Sequence, residues 1–256
     1  MTTFVLVHGA SHGSWCWDKV IPLLSAQGHE AIAVDLPGNS NTYGEFDIPA
    51  GQVTLKSYTD HVCSVLDGLD GPVVLVGHSL GGLTITQSAE YRPDKIKALV
   101  YLTALLLGNG EAMRPVESRD PGAVKSGLER DVWTVSDDLA TIAFNEDSLR
   151  DRFYNDCTDD DFAWAQAMLV PQPSGPLMDK IETTLENYGR VAKVYIECEL
   201  DGALLLPYQR EMQGNVPCDR IITMNTSHSP FLSCLLYTSD AADDTPCVDL
   251  GGRRII

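Results

Sequence analysis

Positive charge is scarce in this chain. Lys and Arg number 18 against 36 Asp and Glu, a formal net charge of -18. Such a surface repels phosphates, which excludes nucleic acid as a partner and disfavours an anionic membrane surface. Long apolar runs are missing too. The longest candidate, Ala98 to Leu107, falls far short of the roughly 20 residues a spanning helix needs. No basic flank precedes the apolar start Met1 to Val7, so no targeting segment is expected and the cytoplasm is the expected compartment. Paired cysteine motifs are absent. The seven cysteines are widely spaced with no CxxC among them, which argues against zinc knuckles and dithiol redox centres and for free thiols.

What remains is an ordinary globular composition, 44% hydrophobic and 21% charged, over 256 residues, enough for one large buried core. Continuous apolar runs recur at Phe4–Val7, Ala31–Val34, Val73–Val76, Ile96–Leu102, Val194–Ile196 and Arg220–Met224. Unbroken apolar character marks strands covered on both faces. Helical patterns separate them at Trp17–Gln27, Leu55–Leu69 and Leu80–Tyr91. The alternation predicts an α/β fold with a mostly parallel central sheet flanked by helices.

The alternation fails between Gly108 and Tyr188, a stretch rich in Asp, Pro and Gly. It reads as a cap (108–188) inserted into a core formed by residues 1–107 and 189–233. Short helices are expected there at Asp137–Phe144 and Asp159–Leu169. The acidic run Asp156 to Asp161 reads as a helix start capped by Thr158 or Asp159, because the ligand spacing and central Gly of a calcium loop are missing.

The chemistry centres on Gly77-His78-Ser79-Leu80-Gly81, an instance of G-x-S-x-G between an apolar strand and a helix. In that context the serine occupies a strained turn that exposes its hydroxyl, and the glycines allow close chain approach. Ser79 is therefore the expected nucleophile. It needs a base, and the base needs an orienting acid. Of six histidines only His228 follows Ser79 in the chain, in a polar loop after the last strand. The acid should follow the preceding strand. Glu197, Glu199 and Asp201 compete; Asp201, before Gly202, is preferred and Glu199 is the fallback. Oxyanion donors are expected from the Leu80 N–H and, in the loop after the first strand, the Ala10 N–H. His8 and His12 read as structural pins of that loop.

Phe4-Val-Leu-Val-His-Gly-Ala-Ser-His-Gly-Ser-Trp-Cys-Trp17, Gly77-His-Ser-Leu-Gly-Gly82 and Val194-Tyr-Ile-Glu-Cys-Glu-Leu-Asp201 resemble the plant methylesterase and hydroxynitrile lyase group. Lys95-Ile-Lys-Ala-Leu-Val-Tyr-Leu-Thr103 and Ser227-His-Ser-Pro230 resemble related bacterial carboxylesterases of the pyrethroid-hydrolysing type. The resemblance covers residues 3 to 233 and implies the α/β-hydrolase fold, a Ser79–His228–Asp201 triad, an Ala10/Leu80 oxyanion hole, and neither metal nor organic cofactor. The plant lyases carry a threonine where this chain has Gly9 and a lysine where it has Ser229; both departures favour ester hydrolysis over C–C cleavage.

The expected substrate is a small to medium hydrophobic carboxylic ester, with lactones, hydroxynitrile-type C–C cleavage and a non-catalytic ligand-binding relative as alternatives. Aromatic residues of the insertion, Trp133 and Trp164 above all, together with Trp15 and Trp17, are candidates for its apolar pocket. The expected partner is that small molecule, and a homodimer is compatible with the sequence. From Cys234 onward no helical period persists, and Pro246, Gly251 and Gly252 would break one. Residues 234–256 resemble translated adapter DNA. They are read as a non-native tail in place of the amphipathic helix with which this group closes.

Overall fold

The fold is described from a computed structural model, for residues 1–39, 46, 48–113 and 132–234. Strand β1 (Thr3–Val7) leads through a 3-10 turn (Ser14–Trp17) to helix α1 (Ile21–Ala26) and strand β2 (Glu30–Val34). Helix α2 (Leu55–Asp67), strand β3 (Val73–His78), helix α3 (Gly81–Tyr91) and strand β4 (Ile96–Leu102) come next. They precede β5 (Trp133–Val135), β6 (Thr141–Phe144), α4 (Glu146–Phe153), α5 (Asp159–Met168), β7 (Gln172–Pro173) and α6 (Gly175–Met178). Strand β8 (Ala192–Cys198), helix α7 (Leu206–Asn215), strand β9 (Arg220–Met224) and the short α8 (Pro230–Ser233) complete the described chain.

The main sheet is parallel throughout, in the order β2-β1-β3-β4-β8-β9. Its apolar runs divide residue by residue between two cores, because successive strand side chains point to opposite faces. Val5, Val7, Val73, Leu75, Leu99, Tyr101 and Tyr195 pack with α2 and α3. Phe4, Leu6, Val74, Val76, Val100, Leu102 and Ile196 pack on the other face with Trp17, Val20, Leu24 and Phe231. Both faces are buried, which is why these strands read as unbroken apolar runs.

The chain leaves β1 toward β2 and returns to place β3 on the other side of β1. Such a topological switch opens a crevice beyond the carboxyl ends of the strands. The loops carrying Ala10, Ser79, Asp201 and His228 all emerge at that end.

Two expected elements differ. The helix expected over Trp17–Gln27 is split into a 3-10 turn and a shorter α1 that starts beside Pro22. Proline lacks an N–H and suits only the first helical turn, so the helix begins there. The helix expected over Asp137–Phe144 is a hairpin instead, with β5 and β6 antiparallel. The Asp138 carboxylate accepts from the Ser136 hydroxyl at 2.7 Å and the Ala140 N–H at 3.1 Å, and Leu139 takes φ 61°. This local turn outcompetes a helix start, and Thr141-Ile-Ala-Phe144 suits a pleated strand. The acidic run does form a capped helix: Thr158 accepts from the Asp161 N–H at the start of α5. The reading of 234–256 as a foreign tail falls, beyond Cys234, outside the described residues.

Candidate active site

Strand β3 delivers Ser79 into a sharp turn. Its φ is 50°, in the left-handed region that a non-glycine residue adopts only when its surroundings impose it. The Ser79 carbonyl accepts from the Gly82 N–H at 3.1 Å and the Leu105 N–H at 2.9 Å. Gly81 is required by close approach, since a Cβ there would stand 2.7 Å from the His8 carbonyl oxygen. The Ser79 side chain is thereby left half-buried at the amino end of α3.

Its Oγ lies 2.9 Å from His228 Nε2, and His228 Nδ1 lies 2.6 Å from Asp201 Oδ2. The three residues join segments 149 and 27 positions apart in sequence. His228 and Asp201 are buried. The other two candidate acids point elsewhere. Glu197 is still in β8 and binds Arg210, Gln213 and Thr223, while Glu199 is exposed.

The Ala10 and Leu80 N–H groups donate to no protein acceptor among the described residues. Around Ala10 lie three buried histidines, two of them used as one donor and one acceptor and the third as a donor. His8 donates from Nδ1 to the Gly9 carbonyl at 2.8 Å and accepts the Leu36 N–H at 3.1 Å. His12 donates from Nδ1 to the Ala10 carbonyl at 2.7 Å and accepts the Tyr154 hydroxyl at 2.7 Å. His78 donates from Nε2 to the His228 carbonyl at 2.8 Å, which holds the loop bearing His228; its Nδ1 is an acceptor with no protein donor among the described residues. A Cβ on Gly9 would lie 2.8 Å from that nitrogen and 2.8 Å from the Ser79 Cβ, so a threonine in this place would displace the surroundings of Ser79.

Burial keeps these histidines neutral. It pushes His12 down to about 3, lowers His8, and holds His78 well below the usual 6.5, with His228 adding to the last shift. Depressed folded values mean that unfolding takes up protons below about 6.5. Stability from this source is complete above that pH and is lost as the pH falls toward the folded values. Each histidine contributes a slope of up to about 1.4 kcal/mol per pH unit. Urea unfolding at pH 7 and pH 5 should therefore show a clearly lower midpoint at pH 5; equal midpoints would contradict the buried neutral imidazoles.

Three further residues hold the site, none of them assigned a role on sequence alone. Thr103, at φ 36° after β4, donates its hydroxyl to Asp201 Oδ2. Gln209 on α7 accepts from the Cys198 N–H at 3.0 Å and donates to the Cys198 and Leu204 carbonyls, clamping the loop that carries Asp201. Asp156, between α4 and α5, accepts from the Ser227 N–H and the Thr226 hydroxyl, both at 2.8 Å, beside His228. Those hydrogen bonds outweigh its burial and lower its pKa.

Of the aromatic candidates, Trp133 starts a row. Its ring lies 4.4 Å from Phe144, which lies 4.2 Å from Phe153, which lies 5.2 Å from His228. Trp164 instead meets Trp15 edge-on at 5.1 Å, and Trp15 stacks on His12. Trp17 is 1% exposed and belongs to the core rather than to a pocket.

A profile of the alpha/beta hydrolase family matches residues 4–237. Methylesterase 2 of Arabidopsis thaliana is 33% identical over 89% of this chain and 89% of its own length. Methyl jasmonate esterase 1 of Vitis vinifera is 30% identical over 90% of this chain and 91% of its own. A solved structure of a pyrethroid hydrolase from Sphingobium faniae superposes with a TM-score of 0.82 at 27% identity, covering 95% of this chain and 96% of that one. The parallel sheet, the serine turn after its third strand and a family match across nearly every described element agree: the chain belongs to the alpha/beta hydrolase family.

Proposed function

We propose that this protein is a serine esterase in which Ser79, His228 and Asp201 act as nucleophile, base and orienting acid. The observation that carries the reading is the unbroken chain from Ser79 Oγ through the His228 ring to Asp201 Oδ2, at 2.9 and 2.6 Å. His228 Nε2 takes the Ser79 proton as Oγ attacks the ester carbonyl. The oxygen that becomes negative is received by the Ala10 and Leu80 N–H groups, whose freedom from protein acceptors among the described residues suits that task. Collapse of the tetrahedral adduct breaks the C–O bond, and His228 returns the proton to the departing alcohol. Water, deprotonated by His228, then attacks the acyl-enzyme and frees the acid.

Small to medium hydrophobic esters are the proposed substrates. The aromatic row from Trp133 to Phe153 ends on His228 and suits an apolar acyl or alcohol group. Residues 108–188 are the proposed cap, and Trp164, edge-on to Trp15, is kept as a proposed pocket residue. Relatives named for methyl esters and for pyrethroids fit this class. Six free thiols among the described residues fit a reducing compartment, and the cytoplasm is the proposed location.

Ester hydrolysis is favoured over cyanohydrin cleavage by the residue next to the base. Expelling cyanide calls for a cation beside the leaving group, and the position after His228 is a buried, neutral Ser229. p-Nitrophenyl acetate and mandelonitrile distinguish the two. Nitrophenolate release with no cyanide is expected; cyanide release without ester turnover would overturn the proposal.

A further inference from the structure

We infer that Gln172, outside the Ser79–His228–Asp201 chain, is a positioning residue that sets the direction of the Ala10 N–H in the oxyanion hole. The inference rests on the esterase reading.

Gln172 lies on β7, in the segment between β4 and β8, and is completely buried. Its amide uses every hydrogen-bonding position it has. Oε1 accepts from the Ser11 N–H at 3.1 Å and from Asn39 Nδ2 at 2.8 Å. Nε2 donates to the Tyr58 hydroxyl at 2.9 Å and to the Pro173 carbonyl at 2.9 Å. The Tyr58 hydroxyl donates to Asn39 Oδ1 at 2.6 Å, closing a ring of three side chains. The orientation of the amide is not interchangeable. A backbone N–H only donates and a carbonyl only accepts, so Ser11 and Pro173 fix which atom is oxygen and which is nitrogen.

Ala10 sits between two peptide groups, and each is held. The peptide joining Gly9 to Ala10 is fixed through its carbonyl, which accepts from His8 Nδ1 at 2.8 Å and the His12 N–H at 3.4 Å. In a trans peptide the N–H points opposite to the C=O, so this sets one side of the Ala10 N–H direction. The peptide joining Ala10 to Ser11 is fixed at both ends, by His12 Nδ1 on its carbonyl and by Gln172 Oε1 on its N–H. Ser11 itself holds φ 62°, which its surroundings must enforce, and its carbonyl accepts from the Val170 N–H at 3.1 Å. Val170 and Gln172 thus grip Ser11 from the same segment. Without Gln172 the peptide after Ala10 loses its hydrogen bond on the N–H side, keeps the one on its carbonyl from His12 Nδ1, and can tilt about that remaining anchor. The Ala10 N–H then strays from the place where the oxyanion forms.

The consequence is selective. A strayed oxyanion donor weakens the transition state and leaves the bound ester almost untouched. Removing one such donor outright lowers kcat about 10²- to 10³-fold, so a mispositioned one should lower it about 10- to 100-fold. The test is Gln172→Leu, assayed on p-nitrophenyl acetate and with a trifluoromethyl ketone, which forms a tetrahedral adduct with the serine. We expect kcat to fall about 10- to 100-fold, KM to stay within about twofold, and affinity for the ketone to fall by the same factor as kcat. Should Gln172→Leu fail to fold, Tyr58→Phe opens the ring yet keeps Gln172, and the same selective signature is expected at about three- to tenfold.

Unchanged kcat and ketone affinity in a folded variant would overturn the inference, and so would a loss carried by KM alone. The outcome is separate from that of the esterase reading. If wild type turns over the ester and Ser79→Ala does not, while Gln172→Leu behaves as wild type, only the role of Gln172 fails. If wild type shows no ester turnover, the reading itself fails.

Discussion

Ser79→Ala is expected to lower kcat for p-nitrophenyl acetate by about 10⁶-fold, the loss seen when a triad acting as a unit loses its nucleophile. The fold should scarcely register the change. Ser79 Oγ has His228 Nε2 as its hydrogen-bond partner, and the side chain is half-buried, so its loss opens little space in the core. The φ of 50° is imposed by the turn and by the two N–H groups on the Ser79 carbonyl, which alanine retains. The melting temperature should therefore stay within a few degrees, since the change touches none of the features behind large losses of stability. His228→Ala should cost about as much in kcat as Ser79→Ala, and the double variant should be no slower than either single one, because neither residue works without the other. A Ser79→Ala enzyme within about tenfold of wild type would remove Ser79 from the role of nucleophile.

The parts of the fold that could be read from sequence are those with a local signature. Strands buried on both faces read as unbroken apolar runs, and a serine turn between strand and helix reads as G-x-S-x-G. The choice of Asp201 over Glu197 and Glu199 rests on where a strand ends and a turn begins: Glu197 is buried within β8, Glu199 is exposed just past its end, and Asp201 is buried in the loop beyond. The hairpin over Trp133–Phe144 escaped because its turn depends on one carboxylate binding its own backbone neighbours, a feature that competes closely with a helix start. Thr103, Asp156 and Gln172 escaped for a different reason. Thr103 meets Asp201 across 98 residues, Asp156 meets Ser227 across 71, and Gln172 meets Ser11 across 161. A hydrogen bond between distant segments leaves no period, cap or motif in either one. It becomes visible only when the topology brings the loops at the strand ends together.

Asp201→Asn is expected to lower kcat about 10⁴-fold at neutral pH while the fold persists. The size of the loss depends on which partners can reverse their roles. Asp201 Oδ1 accepts from the Ala203 and Leu204 N–H groups, both at 2.7 Å, and Oδ2 accepts from His228 Nδ1 and the Thr103 hydroxyl. Backbone N–H groups cannot accept. An asparagine must therefore keep its oxygen on Ala203 and Leu204 and turn its NH₂ toward His228 and Thr103. Thr103 can adapt, since a hydroxyl accepts as readily as it donates. His228 adapts at the expense of function. Its Nδ1 must now accept, which places the ring proton on Nε2, where it points at Ser79 Oγ and blocks the transfer of the serine proton. Stability should fall by only about 1–3 kcal/mol, the usual penalty for weakening a buried charged hydrogen bond. Thr103→Val provides the contrast, because it removes one donor to the carboxylate but leaves the tautomer intact; kcat should stay within about tenfold. Glu199→Gln should leave kcat unchanged, the side chain being exposed and outside the hydrogen-bonded chain. The measurement is kcat for the three variants at pH 7 alongside thermal unfolding. A loss below about tenfold for Asp201→Asn, or an equal loss for Glu199→Gln, would show that the His228 tautomer is set by something other than Asp201.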